Sequence, residues 1–437
     1  MKRFLDQKLT DWKVSSRRKP LILRGARQVG KTYSLKQLGQ VHFKSMVLVD
    51  LERNPNLHSV FEKNLEPVRI CSDIEVLLGQ RIVPGETLLF FDEIQTCPRA
   101  IMALRYFYEE MPDLHVVAAG SLLEFALQDI SFPVGRVHFL QVYPLSFPEY
   151  LYAGGHEQAA SLLLQPPHRV SDALHQFLCD QLRRFLFVGG LPASISAYME
   201  TGSMQAAIEV QRDICDTYRL DFGKYAPRAD KTCLNAVLDS IAQNVGQQVK
   251  YTRLSDGYTG PTLKKAFDLL CLANVVTKVP CAAPAGTPLW ASTSNKVFKA
   301  IVSDCGIMNL LNHMPFDVEL GKKSLLDIYR GALAEQYVGQ ETLHAQHGTL
   351  TYWSRAAKSS TAEVDYLVRV GQDTLPVEVK SGPSGKLRSL HLFLKTYDQC
   401  PQGLVLSDQP YAEMKEARVT FVPLYFAFSA SGGQGHL

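Results

Sequence analysis

Two sets of residues in this 437-residue chain have the types and spacing to do chemistry. The first is Gly25-Ala26-Arg27-Gln28-Val29-Gly30-Lys31-Thr32. Polyphosphate carries several negative charges. A short loop satisfies them only with its backbone N–H groups turned inward, which glycines at both ends permit. Lys31 is then suited to reach the terminal phosphates and Thr32 to hold Mg2+, so Gly25 to Thr32, with Tyr33 opening the next helix, form a predicted ATP-binding loop. Hydrolysis also needs a carboxylate for the metal and a group that orients water. The apolar run Leu88-Leu89-Phe90-Phe91 ends in Asp92-Glu93. Asp92 is expected to hold Mg2+ through water and Glu93 to polarise the attacking water; the alternative is a pair of acids that cap a strand. Ser121, in Ala118-Ala119-Gly120-Ser121, is suited to read the γ-phosphate, although Gly-Ser is also an ordinary turn. Arg136 could neutralise transition-state charge within one chain or between chains, or be a solvated arginine on a strand edge.

The second set is Asp365 with Glu378-Val379-Lys380. In nucleases of the restriction-enzyme class, an acid on one strand and an acid and a lysine on the neighbouring strand converge on one edge. Glu378 and Lys380 are two apart and so share a strand face. Asp365 and Glu378 are expected to bind Mg2+, Lys380 to help activate water, and Glu335, on the preceding helix, to complete the metal site. The competing reading is a solvated strand face with a cross-strand ion pair.

The elements that must position these residues can be read from apolar patterning. Leu21-Ile22-Leu23, Met46 to Asp50, Thr87 to Glu93 and His115 to Ala119 are short apolar runs separated by helical patterns, which predicts a parallel sheet covered on both faces. Domains are expected at 1–150 (the phosphate-loop sheet), 151–225 (a helical connector broken at Gly189-Gly190-Leu191-Pro192), 226–310 and 311–428. In 226–310, one helix presents Leu234, Val237, Leu238 and Ile241, and a second presents Leu263, Ala266, Phe267 and Leu270. A strand at Val275 to Val279 follows, with a wing or exposed loop from Pro280 to Pro288, which predicts a small winged helix. Lys264-Lys265 on the second helix could face DNA or be solvated. The segment between Tyr251 and Pro261 is too short for a full middle helix. In 311–428, a helix from about Leu325 through Gly331 and Glu335 precedes strands at Leu350 to Trp353, Glu363 to Val368 and Leu375 to Lys380. The glycine- and serine-rich tail, 429–437, is expected to be disordered.

Bulk composition narrows the class. With 46% hydrophobic residues the chain can bury a large core, and 46 basic against 43 acidic residues leave +3, which neither demands nor excludes a nucleic-acid partner. The nine cysteines are scattered, without a Cys-x-x-Cys pair, so neither a disulfide framework nor a zinc site is predicted and a cytoplasmic setting fits. Neither a signal peptide nor a membrane span is expected.

Gly25 to Thr32, Phe90-Phe91-Asp92-Glu93-Ile94-Gln95, Ala119-Gly120-Ser121, Gly135-Arg136 and Tyr143-Pro144-Leu145-Ser146-Phe147 together resemble the prokaryotic AAA-type ATPases that carry a C-terminal DUF4143 domain. The resemblance continues through Gly189 to Pro192, Tyr218 to Asp221, Ser303 to Gly306 and Gly331 to Glu335, nearly the whole chain. It implies an ATPase domain, a winged-helix segment and a C-terminal restriction-endonuclease-like α/β domain. One departure is Ala119 before Gly120, where the family more often has threonine. The expected function is ATP binding and hydrolysis controlling a nuclease-like module that acts on DNA. The alternative is a slow ATPase switch that binds a protein or nucleic-acid partner without cutting. A ring-forming homo-oligomer is a third arrangement, requiring an arginine supplied across subunits.

Overall fold

The structure is a computed structural model, described here for residues 1–120, 123–126, 135–225, 230–282, 294–315, 331–346, 348, 350–357, 360–380 and 387–433. The chain forms two compact units, residues 3–143 and residues 144–437 with Met1 and Lys2.

The first unit is a five-stranded parallel sheet: β1 (Leu21–Arg24), β2 (Ser45–Asp50), β3 (Thr87–Asp92), β4 (His115–Ala119) and β5 (His138–Gln141), in the order β2-β3-β4-β1-β5. Every residue of β3 and β4 is buried, as continuous apolar strands between helices require. Leu89, Phe91, Val116 and Ala118 enter one core with Ile70 and Ile74 of the helix Pro67–Leu78 and Ile101, Leu104 and Phe107 of the helix Pro98–Glu110. Because all five strands are parallel, their C-terminal ends share one edge. The phosphate loop, Asp50 and Asp92 therefore meet there.

The second unit begins with helices and ends in an eight-stranded sheet. Its strands are β6 (Val276–Cys281), β7 (Ser294–Val302), β8 (Thr351–Ala357), β9 (Ser360–Val370), β10 (Asp373–Val379), β11 (Gly403–Ser407), β12 (Ala412–Met414) and β13 (Val419–Pro423), ordered β12-β13-β11-β10-β9-β8-β6-β7. β8, β9 and β10 run antiparallel, and β11 returns parallel to β10 after the helix Arg388–Thr396. The expected amphipathic helices form at Lys231–Gln243 and Gly260–Leu272, with Leu234, Val237, Leu238, Ile241, Leu263, Ala266, Phe267 and Leu270 all buried. Between them stands only the short 3-10 turn Tyr251–Arg253.

The first compact unit ends at Tyr143. Beyond it Leu145 N–H donates to Gly190 O at 2.6 Å, and the rings of Phe147 and Tyr150 pack on Phe185. The segments expected at 151–225, 226–310 and 311–428 all lie in the second compact unit. One expectation is corrected: Ser429 to Gly433 are ordered, since the helix Ala427–Ala430 includes Ser429 and the buried Ser431 hydroxyl shares a 2.8 Å hydrogen bond with Thr342. Most of the expected wing, and residues 325–330 of the expected helix, lie outside the described residues.

Candidate functional site

The phosphate loop connects β1 to the helix Lys31–His42. Gly25 has φ +143°, and a Cβ there would fall 2.2 Å from Val142 O, so only glycine fits. Gly30, at φ +95°, starts the helix, and Gln28 also takes the left-handed region at φ +61°. Ala26 and Val29 are buried between them, Arg27 is half-buried, and Tyr33 is exposed. Arg3, buried, donates from Nη1 to Val29 O and from Nη2 to Tyr143 O, both at 2.7 Å, and so braces the loop from the helix Phe4–Val14 that it precedes.

Lys31 is folded onto the loop itself. Its Nζ donates to Gly25 O at 3.0 Å and Ala26 O at 2.7 Å. Burial pushes its ammonium down to about 8, against the pull of Glu93 and Asp92. Thr32 donates from Oγ1 to Asp92 Oδ1 at 3.2 Å. The sheet order makes this contact across β4, which lies between β1 and β3. Burial, reinforced by Glu93, raises the Asp92 carboxyl to about 6. The Thr32 hydroxyl and the Asp92 carboxylate are the hard oxygen donors that Mg2+ takes, so these two residues fit the metal and would hold it.

Glu93 sits at φ +49°, an uncommon conformation for a residue with a side chain. Gln95 Nε2 donates to its Oε2 at 2.5 Å. Gln95 is in turn wedged against Gly120, where a Cβ would lie 2.4 Å from Gln95 Oε1. Glu93 is thereby tethered by an amide while standing next to the metal ligand. Ser121 lies outside the described residues. Arg136 is not brought to this edge. It precedes β5, whose His138 pairs with Leu21 at the start of β1, so it stands at the opposite end of the sheet, ion-paired with Glu109 at 2.8 Å. Within one chain it cannot reach the phosphate loop, which corrects that assignment.

The second constellation does assemble. Val377 pairs with Tyr366, which sets Glu378 beside Asp365, and Val379 N–H donates to Asp365 Oδ2 at 2.8 Å. Lys380, one residue past β10, pairs with Glu378 Oε1. Glu335, in the first turn of the helix Ala332–Ala345, faces the same place. Its centre holds a residue that sequence reasoning missed: Lys299 of β7, whose Nζ lies 2.5 Å from Glu363, 3.1 Å from Asp365 and 3.2 Å from Glu335. Burial and Asp365 raise Glu335 to about 8 and Glu378 to about 7, while the surrounding carboxylates outweigh burial at Lys299 and hold it well above its usual value. Among the described residues no group of three or more His, Cys, Asp or Glu side chains is arranged to hold a metal ion. The expected Mg2+ site of Glu335, Asp365 and Glu378 therefore does not fit a metal as folded, because an ammonium fills its centre.

Family models match residues 17–151 (AAA domain), 179–317 (domain of unknown function DUF8612) and 330–426 (domain of unknown function DUF4143). The chain carries an AAA domain followed by a DUF4143 domain. The AAA match spans the phosphate loop, Asp92 and Glu93, and the DUF4143 match spans Glu335, Asp365, Glu378 and Lys380. Lys299 falls within the DUF8612 match, which crosses the boundary expected at residue 225. No curated protein matches the chain. Similar solved structures include Aeropyrum pernix Orc1 in complex with DNA (11% identity, 72% of this chain and 92% of that one, TM-score 0.26). A Thermotoga maritima RuvB variant matches at 15% identity over 63% and 88%, TM-score 0.28. Vibrio cholerae VC1899 matches at 12% identity over 94% and 96%, TM-score 0.20. All three scores are too low to carry an argument about fold or function. No helix among the described residues is long and apolar enough to cross a membrane.

Proposed function

We propose that this AAA and DUF4143 protein binds and hydrolyses ATP and uses nucleotide state to control its C-terminal module. The observation that carries the reading is the Thr32–Asp92 contact beside a tethered Glu93, at the mouth of the phosphate loop. Bound Mg2+ supplies charge neutralisation at the terminal phosphates. Lys31 binds phosphate once it leaves the Gly25 and Ala26 carbonyls, and Glu93 orients the attacking water once Gln95 releases it. ATP turnover by the purified chain, lost in Lys31→Ala, tests this; turnover that survives the substitution refutes the assignment.

The substrate we assign to the C-terminal module is DNA. Its support is the convergence of Asp365, Glu378 and Lys380 on one edge of a mixed sheet. The lysines of the helix Gly260–Leu272 add little, since Lys264 is neutralised by Asp268. Incubating DNA with Mg2+ or Mn2+ and comparing wild type with Asp365→Ala and Lys380→Ala tests cleavage; equal nicking by all three points to contamination. Lys299 favours a second reading, a slow ATPase switch whose module binds a protein or nucleic-acid partner without cutting. Salt-dependent DNA affinity without cleavage supports a nucleic-acid partner, and no DNA affinity supports a protein partner. Arg136 can serve catalysis only across subunits of a homo-oligomer; a strict monomer with and without ATP removes that role.

A further inference from the structure

The carboxylate cluster of the second unit gathers its oxygens around a cation of the chain itself, the Lys299 ammonium. Lys299 lies in β7, opposite Val279 of β6, and its side chain is 2% exposed. Its ammonium is surrounded by acids from two other elements: Glu335 from the helix Ala332–Ala345, and Glu363 and Asp365, two apart and therefore on one face of β9. The Tyr352 ring, 5.7 Å from Nζ, flanks it. Gly246 closes on Glu335, where a Cβ would stand 2.9 Å from the carboxylate.

A second observation shows that the cluster is not fully satisfied by this arrangement. Glu378 is buried, and although Oε1 pairs with Lys380, its Oε2 is buried without a hydrogen-bond partner among the described residues. Buried acceptors are nearly always paired, so an orphan oxygen at a cluster of acids marks a place built for a further positive ligand. Ammonium and hard divalent cations draw on the same carboxylate oxygens. With three carboxylates already within 3.2 Å of one nitrogen, the two cannot be held together.

We propose that Lys299 is a built-in occupant of the metal position, so that the module as folded excludes a divalent cation and becomes a divalent-cation site when the Lys299 ammonium is removed. This rests on reading Glu335, Asp365 and Glu378 as a nuclease-type cluster. It goes beyond that reading by naming what keeps the cluster metal-free, and by placing the control in β7, a strand outside the DUF4143 match.

The test measures Mn2+ binding to the full, nucleotide-free chain by isothermal titration calorimetry and by the electron paramagnetic resonance of free Mn2+. Wild type, Lys299→Met, Lys299→Gln and Lys299→Met with Asp365→Asn are compared, with Asp365→Asn alone as the wild-type reference. The expected result is one Asp365-dependent Mn2+ per chain in each Lys299 single variant, held at least tenfold more tightly than any Asp365-dependent binding in wild type and lost in the double variant. Wild type that binds Mn2+ through Asp365 as tightly as the variants overturns the plug and leaves the metal-site reading standing. Folded single variants that bind no Mn2+ overturn both. If neither single variant folds in metal-free buffer, refolding with Mn2+ decides: recovery of the native circular dichroism with Mn2+ but not with matched ionic strength supports the proposal, and no recovery overturns it.

Discussion

The depressed Lys31 ammonium makes ATP affinity depend on pH in a predictable direction. In the free protein Lys31 titrates near 8, because burial against the loop disfavours its charge. Polyphosphate restores a strong counter-charge, so in the complex the ammonium returns to or above its ordinary range near 10.5. Binding is therefore coupled to proton uptake. Below about pH 8 the ammonium is already charged and affinity is full; as pH rises through 8, the free protein must first take up a proton and affinity falls. By linkage the loss between pH 7 and pH 9 is about tenfold, about 1.4 kcal/mol, with about 0.9 proton taken up per ATP at pH 9. Titration calorimetry at pH 9 in two buffers of different ionisation enthalpy measures the proton count, and a fluorescent nucleotide measures Kd at pH 7, 8 and 9. Lys31→Arg supplies the control, since its guanidinium stays charged throughout. It is expected to bind more weakly than wild type and without the slope. Equal wild-type affinity at pH 7 and 9, or the same slope in the arginine variant, would falsify the argument.

Glu93→Gly and Glu93→Ala should both lose ATP turnover, by about 100-fold or more. Because Glu93 sits at φ +49°, the glycine variant is expected to be about 1 kcal/mol more stable than the alanine variant in urea denaturation; equal stabilities would show no strain there. Asp304 is fully buried and accepts from the N–H groups of Gly190, Gly306 and Ile307, so Asp304→Asn, which must turn its amide toward at least one of them, should cost about 2 kcal/mol by the same measurement. Arg136→Ala removes only an exposed pair with Glu109, and a stability change above about 1 kcal/mol would contradict its placement. In a strictly monomeric preparation the same variant should leave ATP turnover unchanged.

Much of the fold and part of each site were legible in the sequence. The four apolar runs from Leu21 to Ala119 became β1 to β4, of which β3 and β4 are buried throughout while β2 buries only Val47 and Val49, and the two helices carrying Leu234 and Phe267 buried the faces their periodicity marked. The strand β5 passed unnoticed, being four residues of mixed polarity, and so did β7, where Lys299 interrupts the apolar residues. In the wider sense, a motif is readable when one local conformation creates it. Gly25 to Thr32 is a single loop, Asp92-Glu93 a single strand end, and Glu378 and Lys380 one strand face.

Contacts made between distant elements were decided only by tertiary structure. Nothing local marks Arg3 as the brace of the phosphate loop, although it lies 26 residues from Val29. Gln95 was visible beside Glu93, but its hold on that carboxylate depends on β4 bringing Gly120 against it. Arg136 was misplaced because its distance from the loop follows from the parallel register of β1 and β5, which composition does not encode. In sequence Lys299 is one lysine in a strand; in the fold it is the ammonium among Glu335, Glu363 and Asp365, 36, 64 and 66 residues away. Spacing along the chain determined which side chains could do chemistry, and sheet register and packing decided which of them meet and which cation they hold.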